Sequence, residues 1–218
     1  MGMSRWNPFR ARRERREAHL LEREAFRAAR RLAREDVLAL GEDVAGLALP
    51  ADASHEVREH HRFALEGYDR AQRLLDEDDS IREVHALDQV LQDARWELAA
   101  VRALEAGEPA PPRRGPCFFN PQHGPAVTAL DWTPPGGTSR RVEVCRNDEL
   151  RLATGADPDH REVRVGDRYV PWWQATGGSG SGATVQHLLG DSGPLVHAAI
   201  AEARVRSGLS GIDVTLRG

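Results

Sequence analysis

Four prolines within nine residues divide this 218-residue chain into two parts of different character. They lie in Glu108–Pro116, which reads EPAPPRRGP. Proline has no backbone N–H and its ring clashes with the preceding helical turn, so a helix ends at such a segment. Before the segment the sequence is charged and periodic, and after it come short runs separated by glycine and proline. We therefore predict an α+β fold, in which an N-terminal α-helical coiled-coil region precedes a small β-hairpin-plus-helix module.

The first predicted helix occupies Arg10–Leu40, a stretch without glycine or proline. Its apolar residues recur at steps of three and four, which places them on one helical face. They are Phe26, Ala29, Ala33, Val37, Leu40 and, just beyond this stretch, Val44. Two glycines and a proline within Gly41–Ser54 predict that the helix ends there.

Two more helices are predicted before the proline-rich segment. Ser54 can cap one of them, which runs to about Asp76. Ser80 and Glu83 form a capping box for the other, which runs to about Ala106. The apolar residues of this third helix have the alternating spacing of a heptad seam. They are Val84, Leu87, Leu91, Ala94, Leu98 and Val101. The turn between the two helices is short, which predicts that they pack antiparallel.

The chain after the proline-rich segment is predicted to contain two hairpins and a short helix. Ala126–Trp132 and Arg140–Val144 alternate like strands, and the loop between them, TPPGGTS, has the composition of a turn. A helix opens at Cys145, and a second hairpin is centred on Gly166. The predicted divisions are a helical region at 1–107, a proline-rich linker at 108–116, an α+β module at 117–176, and a Gly/Ser linker with a flexible tail at 177–218. The tail is predicted to hold one short helix, at about Pro194–Arg206.

Both cysteines of the chain lie in the α+β module, in a pattern that predicts a metal site. Cys117 and His123 precede the first hairpin, and Cys145 and Asp148 lie where the following helix begins. The hairpin returns the chain beside its start, and positions three apart on a helical turn point the same way. Thiolate, imidazole and carboxylate groups are all zinc ligands. We predict zinc bound by these four residues in a treble-clef-like arrangement, with His160 as a reserve fourth ligand.

Two other states of the cysteines stay open at this point. Cys117 and Cys145 would be buried free thiols in a core that holds no metal, since free cysteine is commonly buried. In an oxidising compartment they would form a disulfide.

An enzymatic interpretation also stays open. Cys145 at a helix start, with His123 or His160 nearby, imitates the nucleophile pair of a Cys/His hydrolase or transferase. The chain contains no P-loop, G-x-S-x-G, G-x-G-x-x-G or H-E-x-x-H motif. The pattern therefore favours a protein without catalytic residues.

Two aromatic pairs in the module have two interpretations. The pairs Phe118–Phe119 and Trp172–Trp173 would be an interaction surface or, since few other large apolar residues are present, the core of the module.

The sequence of the module resembles that of an uncharacterised family from high-GC Gram-positive bacteria. The resemblance rests on CFFNPQHGPAVTALDWTPPGG, then VEVCRND, then RYVPWWQA, all following a helical hairpin. It covers about Gly67–Ala175. The family combines a coiled-coil hairpin with a CFF-[ND]-P-x-HGP module, and the resemblance implies that architecture here but no activity.

A basic patch at the start of the first helix suggests another partner. Its members are Arg10, Arg12, Arg13, Arg15 and Arg16. It would bind nucleic acid or an acidic surface, or it is a solvated helix end. Glu14 and Glu17 interrupt it and no stacking aromatics accompany it, which favours the solvated end. The net charge of the chain is −4, and all 30 basic residues are arginine. Nucleic acid is therefore not the expected partner.

Taken together, these patterns predict a non-enzymatic interaction or scaffold protein. Residues 1–107 would form its coiled-coil stalk, and residues 117–176 its small metal-stabilised head. We expect a protein partner, which includes a second copy of the chain in a homodimer. Neither a signal peptide nor an apolar run long enough for a transmembrane helix is found, and two cysteines are too few for a disulfide scaffold. We therefore expect a cytoplasmic protein.

Overall fold

The fold begins with long helices and continues with short antiparallel strands. The structure is a computed structural model, and it describes residues 8–77, 81–165 and 168–175. The elements are helices α1 (Pro8–Ala45), α2 (His55–Glu77) and α3 (Ile81–Glu105), a 3₁₀ turn (Pro121–His123), strands β1 (Thr128–Trp132) and β2 (Arg140–Val144), helix α4 (Arg146–Ala153), strands β3 (Glu162–Val165) and β4 (Arg168–Pro171), and the short helix α5 (Trp172–Ala175). The mixed helical and antiparallel composition predicted from the sequence is confirmed.

Helix α1 ends within the segment Gly41–Ser54, as predicted, since it continues through Gly41 to Ala45. A Cβ atom at Gly41 would lie 2.8 Å from the ring of Tyr68 on α2, so glycine at this position allows α1 and α2 to approach each other. The predicted tail helix at Pro194–Arg206 and the side chains of the predicted capping box lie outside the described residues.

Helices α2 and α3 pack antiparallel, as the short turn between them predicted. Gly67 on α2 faces Ala94 on α3. About two turns earlier on α2, His60 contacts Glu97, which lies about one turn later on α3. The residue numbers rise on one helix as they fall on the other, which is the signature of antiparallel packing. Helix α1 contacts both.

The predicted apolar faces form the core between these three helices. On α1 the buried residues include Ala29, Ala33, Val37 and Leu40, and on α3 the seam is buried from Leu87 to Val101. Burying such side chains is the main favourable contribution to folding. The prediction that the three helices pack together is confirmed within a single chain.

The proline-rich segment lies along α3. The indole N–H of Trp96 donates to the backbone oxygen of Pro111 at 3.1 Å. The guanidinium of Arg113 lies 3.8 Å from the centroid of the same ring and donates to Glu97 at 3.0 Å. The segment is therefore attached to the helix that precedes it.

A buried polar junction connects the helices to the later part of the chain. We use this name for Asp36, Arg95, Gln122 and Arg161. The Oδ1 atom of Asp36 accepts from Gln122 at 2.6 Å and from Arg161 at 2.9 Å, and Arg95 lies 3.5 Å away. Asp36 is only 1% exposed, so its charge is compensated by arginines from distant parts of the chain. The junction attaches the 3₁₀ turn and the residues before β3 to α1.

The two neighbouring tryptophans before the end of the described chain enter different apolar clusters. Trp172 and Val163 pack with the helical core, whereas Trp173 packs with Phe119 and Trp132. Phe118 is half-buried at the edge of that second cluster. Burial of Phe119, Trp172 and Trp173 favours the core interpretation of the aromatic pairs over an interaction surface.

Within the described residues, no helix has both the length and the apolar character needed to cross a bilayer.

Candidate metal centre

The hairpin β1–β2 brings the two cysteines to the same place. Val144, at the end of β2, pairs with Thr128 at the start of β1, so Cys145 follows immediately beyond the pairing. On the incoming side, the backbone N–H of Phe118 donates to the backbone oxygen of Glu143 at 2.9 Å. This bond holds Cys117 alongside the end of β2, a few ångströms from Cys145.

The 3₁₀ turn presents His123 to the cysteines. Asn120 caps the turn, since its side-chain oxygen accepts from the backbone N–H of Gln122 at 3.0 Å, and Pro121 occupies the first position. Gly124 then reverses the chain with φ of 88°, a conformation that strongly favours glycine. The reversed chain returns to Cys117, whose N–H donates to the backbone oxygen of Gly124 at 3.0 Å.

Helix α4 supplies the fourth group. Cys145 is its N-cap residue and Asp148 lies in its first turn, so the two side chains share one face. One oxygen of Asp148, Oδ1, accepts the backbone N–H of Asp159 at 2.7 Å. The other oxygen, Oδ2, remains directed at the cysteines and His123.

The four predicted ligands come together. Their ligand atoms all lie within 4.8 Å of one another. Asp148 Oδ2 is 3.1 Å from His123 Nδ1, 3.2 Å from Cys117 Sγ and 3.4 Å from Cys145 Sγ, and Cys145 Sγ is 3.6 Å from His123 Nδ1. Ligand atoms on a tetrahedral zinc ion, at bond lengths of 2.0 to 2.3 Å, are about 3.3–3.8 Å apart. The cluster could therefore hold a metal ion with small adjustments.

The cluster of the four candidate ligands is almost fully enclosed. Asp148 is 0% exposed, Cys117 1% and Cys145 6%, and the side chain of His123 is 17% exposed. Both cysteines are free thiols, which does not support the disulfide alternative. His160, the reserve ligand, lies apart from the cluster, with its ring 4.9 Å from that of Trp173.

Asp159 is a supporting residue that the sequence did not single out. Its carboxylate lies 3.5 Å from His123 Nε2, on the side of the ring that faces away from the cluster. Metal-ligating histidines commonly donate their second N–H to such a carboxylate, which fixes the ring and raises its basicity. Asp159 thus touches two candidate ligands, His123 through its side chain and Asp148 through its backbone. The sequence offered only an acidic loop, DPD, as a signal.

The protonation of the cluster follows from its hydrogen bonds. Burial lowers the pKa of His123, but hydrogen bonds with Asp148 and Cys117 outweigh it and raise that pKa to about 10. Burial raises the pKa of Asp148, but the bonds from His123 and Asp159 hold it below its usual value. Ligands bind a metal in their deprotonated forms, so binding here would release protons.

The two thiols differ in character. A hydrogen bond from Cys117 lowers the pKa of Cys145, while the same bond and burial raise the pKa of Cys117. The backbone N–H of Asp148, at the start of α4, also favours the Cys145 thiolate. Cys145 is therefore the more readily ionised ligand.

The predicted basic patch is described only in part. Arg12 and Arg16 are exposed on α1, and the side chains of Arg10, Arg13 and Arg15 lie outside the described residues.

No protein-family profile, curated protein or solved structure matches this chain.

Proposed function

We propose that Cys117, His123, Cys145 and Asp148 bind one zinc ion that stabilises the head of a non-enzymatic interaction protein. The observation that carries the proposal is the convergence of four ligand atoms, from three separate segments, within 4.8 Å. Two thiols, an imidazole and a carboxylate in one buried cluster match the donor set of zinc. Magnesium and calcium prefer oxygen ligands alone, so the two sulfur atoms argue against them.

The proposed role of the ion is structural. Structural zinc sites have four protein ligands, whereas catalytic sites keep one position for water or substrate. Here the fourth position belongs to Asp148, which is held by the backbone of Asp159. An ion at this point would link the incoming segment, the 3₁₀ turn and the start of α4. The small aromatic core around Phe119 would gain stability from that link.

The competing function is a Cys/His hydrolase or transferase that uses Cys145 and His123. A nucleophilic cysteine needs access to substrate, and Cys145 is only 6% exposed. The described residues do form a groove of about 700 Å³, but it lies between α2 and α3 and is lined by residues such as Phe63, Arg70 and Arg113. Neither candidate catalytic residue lines it. The burial and the position of the groove favour the structural role.

We also propose that the module with the four candidate ligands is a treble clef, as in the family that the sequence resembles. A turn with ligands, a β-hairpin and a helix whose first turn carries further ligands follow one another here in the treble-clef order. We likewise propose that α1–α3 form a coiled-coil stalk, which would present the head to a protein partner.

Elemental analysis of the purified full chain tests the metal. After dialysis we expect about one zinc ion per chain. Cys145→Ser and Asp148→Ala should each lose most of it, whereas His160→Gln, which alters a nearby histidine outside the cluster, should retain it. Replacement of zinc by cobalt should give thiolate-to-cobalt absorption that weakens in Cys117→Ser. Less than about a tenth of an equivalent of any transition metal, with the fold unchanged in chelator, would overturn the proposal.

Sedimentation equilibrium of the full chain tests the homodimer. The α3 seam is buried inside one chain from Leu87 to Val101, so a dimer must use another surface. A monomer at every concentration would leave a different protein as the proposed partner.

A further inference from the structure

Helix α1 carries a regular stripe of basic residues that extends far beyond the patch at its start. Its eight positions follow one another at steps of four, four, three, four, four, three and four. They are Arg12, Arg16, Leu20, Arg23, Arg27, Arg31, Arg34 and Leu38. Such spacing repeats every eleven residues, or 3.67 residues per turn, so the side chains lie almost along one straight line on the helix. We call these eight residues the arginine stripe.

The arginine stripe faces away from the helical core. Most of its members are exposed, Arg31 is partly so, and Leu20 and Leu38 are 50% and 61% exposed. The residues on the opposite side of α1, including Ala29, Ala33 and Leu40, are fully buried. Six arginines and two leucines therefore share a single outer face. Glu35 borders this face and lies 3.8 Å from Arg31, so Arg31 is already paired with a carboxylate.

We propose that the arginine stripe is a docking surface for an anionic lipid bilayer, with α1 lying flat along the headgroups. The stripe runs straight for about 39 Å, from Arg12 to Leu38, at 1.5 Å per residue. A straight line of cations can touch a plane along its whole length. The guanidinium groups would pair with lipid phosphates, to which their planar donors are well suited.

The two exposed leucines decide between partners. At a bilayer, Leu20 and Leu38 would enter the apolar boundary below the headgroups, as leucines of interfacial helices do. Against a nucleic acid they would contact charged phosphates and lose that benefit. The stripe also lacks the aromatic and amide side chains with which proteins stack on or read bases. The observations thus favour lipid over nucleic acid.

Docking would not require the helices to unfold. Interfacial helices often insert their only apolar face, but the main apolar face of α1 is already buried against α2 and α3. Attraction would come chiefly from charge, to which each arginine near an anionic surface contributes about fivefold in affinity. The chain as a whole carries a net charge of −4, so binding through charge must use a local surface such as this one.

Vesicle co-sedimentation of the full chain tests the proposal. Vesicles of phosphatidylcholine with phosphatidylserine should bind the chain, and pure phosphatidylcholine vesicles should not. The triple variant R16Q/R23Q/R34Q should bind the anionic vesicles on the order of a hundredfold more weakly. The matched control R58Q/R70Q/R73Q removes three exposed arginines from α2 and should bind like the unmodified chain. Leu38→Gln should weaken binding without changing the charge.

Several outcomes would overturn the proposal. Equal losses in the two triple variants would mean that only net charge matters. Tight, salt-sensitive binding to duplex or single-stranded nucleic acid, without binding to anionic vesicles, would assign the stripe to nucleic acid. Self-association that the stripe variant abolishes, again without vesicle binding, would assign it to a second copy. Circular dichroism of each variant confirms that the helices remain folded.

Discussion

The side-chain amide of Gln122 donates a hydrogen bond to Asp36 Oδ1 at 2.6 Å, although 86 positions separate the two residues. Gln122 directly precedes His123, a candidate metal ligand. The same oxygen of Asp36 accepts from Arg161, two residues after Asp159, which supports two candidate ligands. One buried carboxylate on α1 therefore holds both loops that shape the candidate metal centre.

Asp36→Ala should destabilise the protein strongly. It would leave the buried side chain of Arg95 without its ion pair and that of Arg161 with only Glu35, 3.1 Å away. Losing one partner of a buried ion pair costs about 3–5 kcal/mol. Urea unfolding measures the change. As a control, Asp43→Ala breaks an exposed pair with Arg102, at 2.9 Å, and should cost less than about 1 kcal/mol. Equal effects of the two substitutions would show that the polar junction contributes no more than a surface ion pair.

Asp88 should make stability depend on pH. Burial, with repulsion from Asp36, raises the pKa of Asp88 from 3.8 to about 7. The folded state therefore keeps a proton that the unfolded chain releases at lower pH. The stabilising contribution is complete below about pH 4 and is lost as the pH rises towards 7, with a slope of at most about 1.4 kcal/mol per pH unit.

Asp88→Asn tests this dependence because it removes the titration and nearly keeps the shape. Thermal or urea unfolding should show the variant gaining stability relative to the unmodified chain as the pH rises from about 4 to about 7. A hydrogen bond with Gln92 and the charges of Arg95 and Arg161 lower the pKa of Asp88, so their replacement should move the transition to higher pH. A difference between the two proteins that is constant with pH would contradict the prediction.

Gly67 should resist replacement by alanine, although alanine is the better helix former. A Cβ atom at Gly67 would lie 2.8 Å from the Cβ of Ala94 on α3. Such overpacking costs about 1–3 kcal/mol, which offsets the gain of about 1 kcal/mol in helix propensity. Unfolding of the double variant Gly67→Ala/Ala94→Gly should reveal a favourable coupling of about 1 kcal/mol, because the second change makes room for the first. Strict additivity would mean that the helices separate without cost.

Phe119 should be the main apolar anchor of the head. It is 0% exposed and packs edge-on against Trp132 and Trp173, with ring centroids 5.0 and 5.6 Å away. Phe119→Ala should lower the free energy of unfolding by about 3–5 kcal/mol, seen in tryptophan fluorescence during denaturation. Tyr169→Ala, at a residue that is 67% exposed, should change it by less than about 0.5 kcal/mol. A small effect of Phe119→Ala would contradict its role in the core.

Much of the architecture was accessible from the sequence because the signals are local. The period of the apolar residues placed α1, α2 and α3, and the TPPGG turn placed the hairpin, with β2 observed at the predicted residues Arg140–Val144. The four candidate ligands were also predictable. A hairpin must return the chain to its start, and Cys145 and Asp148 are neighbours on any helix that begins there.

The tertiary structure alone decided which polar residues are buried and what holds the candidate ligands in place. The buried charge of Asp36 is compensated because Arg161 donates to its carboxylate from 125 positions away, and Arg95, 59 positions away, lies 3.5 Å from the same oxygen and donates to the Asp36 backbone oxygen. No local pattern encodes such a meeting, since it depends on how the later residues pack onto α1. For the same reason, no sequence pattern predicted the role of Asp159. Nor did any pattern predict that Trp172 packs in one apolar cluster and Trp173 in the other. Periodicity and turn chemistry act between near neighbours in the chain, whereas the compensation of a buried charge is a property of the assembled fold.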